Sequence, residues 1–347
     1  MEIHYKNGYN KKYNPLYAAD TGLHMEAYRG NDQGVHIMKY GFGVDLGGTT
    51  VKLAYFDENG TLLSKWEIPT DRTENGKNIL PDIARSLGDY IKAHSIPTDS
   101  LLGIGIGVPG PVSDDGVVNG CSNLGWGVFN IHRELSALTG LAVKAGNDAT
   151  VAALGECWKG SGAGSADMLF VTLGTGVGGG LVAGGKLLLG AHGAAGEIGH
   201  VVLNREETEP CGCGKFGCAE QYCSATGAVR LAKRVLQESD APSVLRQQEL
   251  SCYQIFKAAE EGDRLALLAR ERYFAYLGEF LASLCCVTNP GRVVLGGGVS
   301  KAGQVLIDGL MPYFKKHVFH ANSDVQFSIA ALGNDAGAYG AFKLITA

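Results

Sequence analysis

The sequence lacks a basic excess: 30 Lys and Arg stand against 35 Asp and Glu, for a formal net charge of -5. A surface that tracks nucleic-acid phosphates needs the opposite balance, so no nucleic-acid partner is expected. No uninterrupted apolar run reaches the about 18 residues of a membrane-spanning helix, and Met1–Asn10 has no apolar core of the kind a secretory signal carries. The expectation is a cytoplasmic protein without a membrane partner. The nine cysteines include no Cys-x-x-Cys pair, which argues against a thioredoxin-like redox site. Their odd number and the neighbours Cys285 and Cys286 fit reduced thiols plus one metal site better than a disulfide framework. No lysine follows the first glycine cluster in the P-loop manner, which excludes a Walker A site.

Glycine is in excess, with 51 in 347 residues, about twice the usual ~7%. The glycines fall in short runs, which suggests backbone brought close to a ligand rather than a linker. The length predicts two domains or subdomains. Residues 1–38 carry five scattered tyrosines (Tyr5, Tyr9, Tyr13, Tyr17 and Tyr28) without helical or alternating period, and read as a poorly ordered extension. No pair of amphipathic helices for a helix-turn-helix module can be drawn there.

The fold is expected to begin at Lys39, with a strand at Gly41–Asp45, a tight turn Leu46-Gly47-Gly48-Thr49-Thr50, a strand at Val51–Phe56 and a third at Thr61–Ile68. Exposed glycine amides in such a turn can cradle phosphate oxygens, and Asp45 at the strand end is placed to hold magnesium or its water. A plain hairpin is the simpler alternative. A helix at 76–94 and an apolar strand at Leu102–Val108 follow. The strand ends at Pro109-Gly110-Pro111, where ligands sit in α/β sheets. Asn123 lies in the next loop with amide hydrogen bonds to offer a hydroxylated ligand. A helix at 131–139 and a strand at 142–145 lead to Gly146-Asn147-Asp148-Ala149, which opens another helix. Asp148 there has the alternative role of helix N-cap. The strand Met168–Leu173 is followed by Gly174-Thr175-Gly176-Val177-Gly178-Gly179-Gly180 and two further strand segments at 181–183 and 186–189. This repeats the plan of residues 41–68 and suggests an internal duplication closing on one phosphate chain. A helical block spans about 225–287. Arg292–Leu295 is then a strand, Gly296-Gly297-Gly298-Val299-Ser300 opens another helix and lets backbone approach a base or ribose, and after a helix near 305–317 a strand near 325–331 precedes a closing helix at 337–345.

The most specific stretch is Glu197-Ile198-Gly199-His200 followed by Cys211-Gly212-Cys213-Gly214-Lys215-Phe216-Gly217-Cys218-Ala219-Glu220. His200, Cys211, Cys213 and Cys218 supply a four-coordinate ligand set for structural zinc, with no open position for catalysis. Ordinary thiols in a loop are the alternative. The knot would bring Glu197 and Glu220 to one point, as a braced wall whose polar groups face a small polyhydroxylated ligand.

Taken together, Asp45-Leu46-Gly47-Gly48-Thr49, Pro109-Gly110, Asn147-Asp148-Ala149, the glycine run 173–180, Glu197–His200, the cysteine stretch through Glu220 and Gly296–Gly298 make residues 41–347 resemble the ROK family of sugar kinases and repressors, above all its bacterial glucokinases. The resemblance implies an actin-like ATPase (ribonuclease H-like) α/β fold, two duplicated subdomains around a central cleft. Their expected extents are 39–147 and 148–347, the latter with the zinc knot at 200–218, and the closing helix is expected to pack back on the first. It implies ATP, Mg2+ and structural Zn2+, a hexose substrate, and a homodimer or homotetramer. It makes Asp148 the catalytic base, Gly110, Asn123, Asn147, Asp148, Glu197, His200 and Glu220 the sugar site, and Asp45, Gly47, Gly48, Thr49, Thr50, Gly174, Thr175, Gly176, Gly178, Gly296, Gly297 and Gly298 the nucleotide site. Two residues depart from the family pattern: Gly146 where an acidic residue is usual, and Thr150 where Asn is common. Neither is expected to touch the reacting groups. Glucose is the expected substrate. Fructose, mannose, N-acetylglucosamine, N-acetylmannosamine or a sugar-responsive regulator without turnover are the alternatives, with discrimination resting on loop shape near Asn123 and Gly193.

Overall fold

The computed structural model describes residues 38–346. The extension assigned to residues 1–38 lies outside them except for Met38. In chain order the elements are β1 (Tyr40–Leu46), β2 (Thr50–Asp57), β3 (Leu62–Pro69), α1 (Ile79–Ala93), β4 (Leu101–Val108), β5 (Val117–Cys121), β6 (Trp126–Asn130), α2 (Ile131–Thr139), β7 (Val143–Asn147) and α3 (Asp148–Lys159). Then come β8 (Met168–Leu173), β9 (Val177–Ala183), β10 (Lys186–Leu187), α4 (Glu220–Cys223), α5 (Ala225–Gln237), α6 (Cys252–Glu260), α7 (Arg264–Thr288), β11 (Arg292–Gly296), α8 (Gln304–His317), β12 (Gln326–Ile329) and α9 (Ala336–Thr346).

Two five-stranded sheets have the orders β3-β2-β1-β4-β7 and β10-β9-β8-β11-β12. In each, a three-stranded antiparallel meander is extended by two parallel strands. The correspondence is strand for strand, which is the signature of duplication. The central strands read as continuous apolar runs because helices cover both faces. Phe42, Val44, Ile104 and Ile106 are fully buried in the first sheet, and Leu169, Val171, Val293 and Leu295 in the second.

Two helices cross-link the halves. α9 packs on the first sheet so closely that a Cβ at Gly105 would lie 1.7 Å from the Ala341 carbonyl oxygen, and one at Gly43 would lie 2.1 Å from that of Ala338. α3 packs on the second sheet, with Ala153 2.3 Å from where a Cβ of Gly180 would stand. α3 and α9 touch each other where Gly340 meets the Val151 carbonyl. At the end of α3 the fully buried Glu156 accepts the N–H groups of Ser161, Ala331 and Leu332 at 2.9, 3.1 and 2.7 Å. These three bonds offset the cost of burying its charge and tie α3 to the segment that leads into α9. No helix among the described residues is long and apolar enough to cross a membrane.

Several boundaries differ from the sequence reading. The helix expected at 76–94 starts at Ile79, because Glu74, Asn75 and Gly76 form a left-handed turn with φ of 49°, 58° and 67°. The loop around Asn123 belongs to a hairpin, β5 paired with β6. Gly296–Ser300 does not open the long helix: Val299–Ala302 is a single 3-10 turn, and α8 begins only after Gly303.

Candidate active site

Strand register decides which residues meet. Asp45 in β1 pairs with Gly107 in β4, and Val108 pairs with Asn147 in β7. Asp45, Pro109-Gly110 and Asn147-Asp148 therefore emerge side by side at the carboxyl ends of three neighbouring parallel strands. In the second sheet Gly296 pairs with Thr172, which sets the Gly297-Gly298 turn beside Gly174–Gly176.

Asp148 is the first residue of α3, and the cap role falls to Asn147 instead. The Asn147 side chain accepts the Thr150 N–H at 3.1 Å, and its amide donates to the Gly110 carbonyl at 3.3 Å and to Asp148 Oδ1 at 3.0 Å. Thr150, one of the two departures from the family pattern, adds its hydroxyl to the same Asn147 oxygen at 3.3 Å. Asp148 Oδ1 also accepts the Ala149 N–H at 2.8 Å. Burial pushes the Asp148 carboxyl up to about 6, against the pull of the Ala149 N–H, and the charges of Asp45 and Glu197 add to the rise. A carboxylate in that range is suited to take a proton at neutral pH. Burial likewise raises Asp45, while Lys52 at 3.3 Å opposes the shift.

The first glycine turn is shorter than its sequence reading, since Leu46 and Thr50 lie in the flanking strands and only Gly47–Thr49 turn. It is closed by Gly47 N–H to the Thr50 carbonyl at 3.0 Å, and from outside by Thr70, whose hydroxyl donates to the Gly47 carbonyl at 2.7 Å. Gly48 has no neighbour within 4 Å of its Cβ position, so its backbone is open to a ligand. The second turn is Gly174–Gly176. Gly178, read as part of it, lies in β9, where Ala149 of α3 approaches to 3.1 Å of its Cβ position. Gly296 is likewise a buried strand residue against Phe170, which leaves Gly297 and Gly298 exposed at the turn.

His200, Cys211, Cys213 and Cys218 converge, with their ligand atoms all within 4.8 Å of one another. The Cys213 and Cys218 sulfurs are 3.7 Å apart, and tetrahedral Zn–S bonds of ~2.3 Å place two sulfurs ~3.8 Å apart. The donor set and spacing fit structural zinc. Short antiparallel bridges shape the knot, Val202 with Cys218 and Pro210 with Phe216. Its flank is tied to α5 by Glu207, which accepts Arg234 at 2.9 Å and the Tyr222 hydroxyl and forms an ion pair with Arg230 at 2.8 Å. Burial opposes ionisation of Glu207, yet the Tyr222 hydroxyl, the Glu209 N–H and Arg234 together hold it down at about 2.

Glu197 and His200 stand 3.9 Å apart at the exposed rim of the knot. Glu220 lies at its exit, with one carboxylate oxygen on the Val177 N–H at 3.1 Å and the other 3.7 Å from Cys211 Sγ. Asn123 is exposed on a cavity of about 580 Å³ shared with Thr70, Asp71, Arg72 and Asn75. Sequence reasoning passed over these four. The signal available was the polar run Thr70-Asp71-Arg72-Thr73-Glu74-Asn75 directly after the alternating strand β3.

A duplicated α/β fold with a raised carboxylate at the strand ends, and a glycine turn in each half, defines the actin-like ATPase class. Residues 41–347 match the family model described as ROK family. The chain is 41% identical over 309 residues to a glucokinase of Halalkalibacterium halodurans, covering 87% of this chain and 94% of the relative. It is 34% identical over 310 residues to the N-acetylgalactosamine kinase AgaK of a Shewanella species, covering 87% and 96%. The crystal structure of a ROK family glucokinase from Streptomyces griseus in complex with glucose and AMPPNP superposes with a TM-score of 0.71 at 32% identity, over 88% of this chain and 98% of that one. The chain belongs to the ROK family, with the actin-like ATPase fold.

Proposed function

We propose that the protein is an ATP-dependent hexose kinase that phosphorylates glucose at its 6-hydroxyl. The observation that carries this reading is Asp148, held at the start of α3 where the carboxyl ends of β1, β4 and β7 lie side by side, with its carboxyl raised to about 6. ATP supplies the phosphoryl group, and Mg2+ offsets charge on its oxygens. Asp148 accepts the proton of the attacking hydroxyl, and the Asn147 amide and the Ala149 N–H hold its Oδ1 in place. Asn123, Asn147, Glu197, His200 and Glu220 bind sugar hydroxyls and orient the 6-hydroxyl. The open backbone of Gly48 and the turns at Gly174–Gly176 and Gly297–Gly298 receive the nucleotide, and Asp45 holds the magnesium ion or its water. Since the phosphoryl transition state is loose, positioning and electrostatics account for most of the rate. Zinc on His200, Cys211, Cys213 and Cys218 supports the sugar wall without entering the reaction.

The likeness to an N-acetylgalactosamine kinase at 34% identity favours one second reading, phosphorylation of an N-acetylated hexosamine. A coupled ADP-release assay with ATP and magnesium on glucose, mannose, fructose and the three N-acetylhexosamines of gluco, manno and galacto configuration decides. Preference for glucose supports the first reading, preference for an N-acetylated sugar the second. Binding without turnover would refute both.

A further inference from the structure

The residues that leave the cysteine knot also hold the second glycine turn. Glu220, two positions after Cys218, accepts the Val177 N–H at 3.1 Å, and its carboxylate lies 2.2 Å from where a Cβ of Gly176 would stand. Ala225 N–H donates to the Gly174 carbonyl at 2.8 Å, and the Thr226 hydroxyl donates to the Thr175 carbonyl at 2.7 Å. Ser224 locks the segment itself, donating to the Glu220 carbonyl at 2.7 Å while it caps α5 by accepting the Gly227 N–H at 2.9 Å. Gly174, Thr175 and Val177 are thus each hydrogen-bonded from 220–226, while the Gly176 carbonyl accepts the Gly174 N–H at 3.0 Å inside the turn. Among the described residues, the N–H groups of Thr175 and Gly176 have no protein acceptor. Amides whose carbonyls are pinned on the far side are preorganised donors for phosphate oxygens.

We infer that the metal knot, acting through the segment Glu220–Thr226, positions the Gly174–Gly176 turn and so sets affinity for the nucleotide as well as for the sugar. Thr226 is a positioning residue in this scheme: it touches the turn and not the substrate. The inference rests on the kinase reading. Reciprocity follows, since a nucleotide that favours the braced turn must also tighten metal retention.

The test measures binding of a non-hydrolysable ATP analogue and of glucose by calorimetry. The samples are wild type, Thr226→Val, Thr226→Ser and chelator-treated protein whose fold is checked by circular dichroism. One lost hydrogen bond of ordinary strength weakens nucleotide binding about fivefold in Thr226→Val. Glucose affinity stays unchanged, and Thr226→Ser restores nucleotide affinity. Stripped protein loses nucleotide affinity at least as far, and Thr226→Val then has no additional effect. Unchanged nucleotide affinity in Thr226→Val, with wild type binding normally, would overturn this inference alone. It also decides the matter should stripped protein unfold. Failure of wild type to bind any nucleotide would overturn the kinase reading, and this inference with it.

Discussion

The two halves share a strand order but hold their glycine turns differently. The first turn is closed locally: Thr70, 23 residues from Gly47, donates its hydroxyl to the Gly47 carbonyl and its N–H to the Thr49 carbonyl. The second turn has its own closing bond, Gly174 N–H to the Gly176 carbonyl at 3.0 Å, but its outer braces come from partners 43 and 51 residues away, beyond the cysteine knot. Duplication has kept the topology while the bracing diverged. A turn held by its own meander is stable whenever the sheet is folded, whereas one held through a metal knot inherits the stability of that knot.

The largest expected effect lies between the turns. Asp148→Asn touches neither brace, and removal of a general base should lower kcat by about 10²–10⁴ with glucose affinity held within about threefold. Coupled assays with calorimetry on the same sample check this, and equal loss of turnover and binding would reassign Asp148 to substrate binding.

Metal removal should then separate the halves. Hydrogen exchange after chelation is expected to speed at least about tenfold in 174–177 and 199–226, with 40–57 unchanged. A uniform increase in both halves would erase the contrast drawn here.

The pH dependence sharpens the role of the residue they share. With Asp148 at about 6, kcat/KM should fall about tenfold per pH unit below that value as the base takes up its proton. Stability runs the other way. The folded carboxyl titrates above its ordinary 3.8, so the folded state retains a proton that the unfolded chain has released. The stabilisation is complete below about 4 and lost as pH rises through 6. Asp148→Asn should therefore gain about 3 kcal/mol at pH 8 and nothing at pH 3, read from urea unfolding. A gain independent of pH would remove ionisation as its cause.

The smallest effect concerns the first brace. Thr70→Val should weaken nucleotide binding about fivefold, to the same extent with or without chelator. Sensitivity to chelator at Thr70 would mean that both turns answer to the knot.

Sequence reasoning located most strands within a residue or two, since buried parallel strands and glycine turns leave strong local signals. It erred where a glycine serves packing rather than turning. Gly178 and Gly296 read as ligand loops because a glycine run carries no mark of which members face a helix or an aromatic ring. The start of α1 was misplaced because Glu74 and Asn75 adopt positive φ, a conformation that residue type rarely announces. The β5–β6 hairpin went unread, since Gly120 and Gly125 resemble loop glycines in isolation.

By itself the sequence determined the motifs, their order and the metal-ligand set, because these depend on residue type and spacing along the chain. Tertiary structure alone decided what those motifs lean on. Register aligned Asp45, Gly110 and Asp148, burial raised the Asp148 carboxyl, and the fold brought Thr226 onto Thr175 across 51 residues. Each is a relation between groups distant in the chain, set by packing and desolvation that no local pattern encodes.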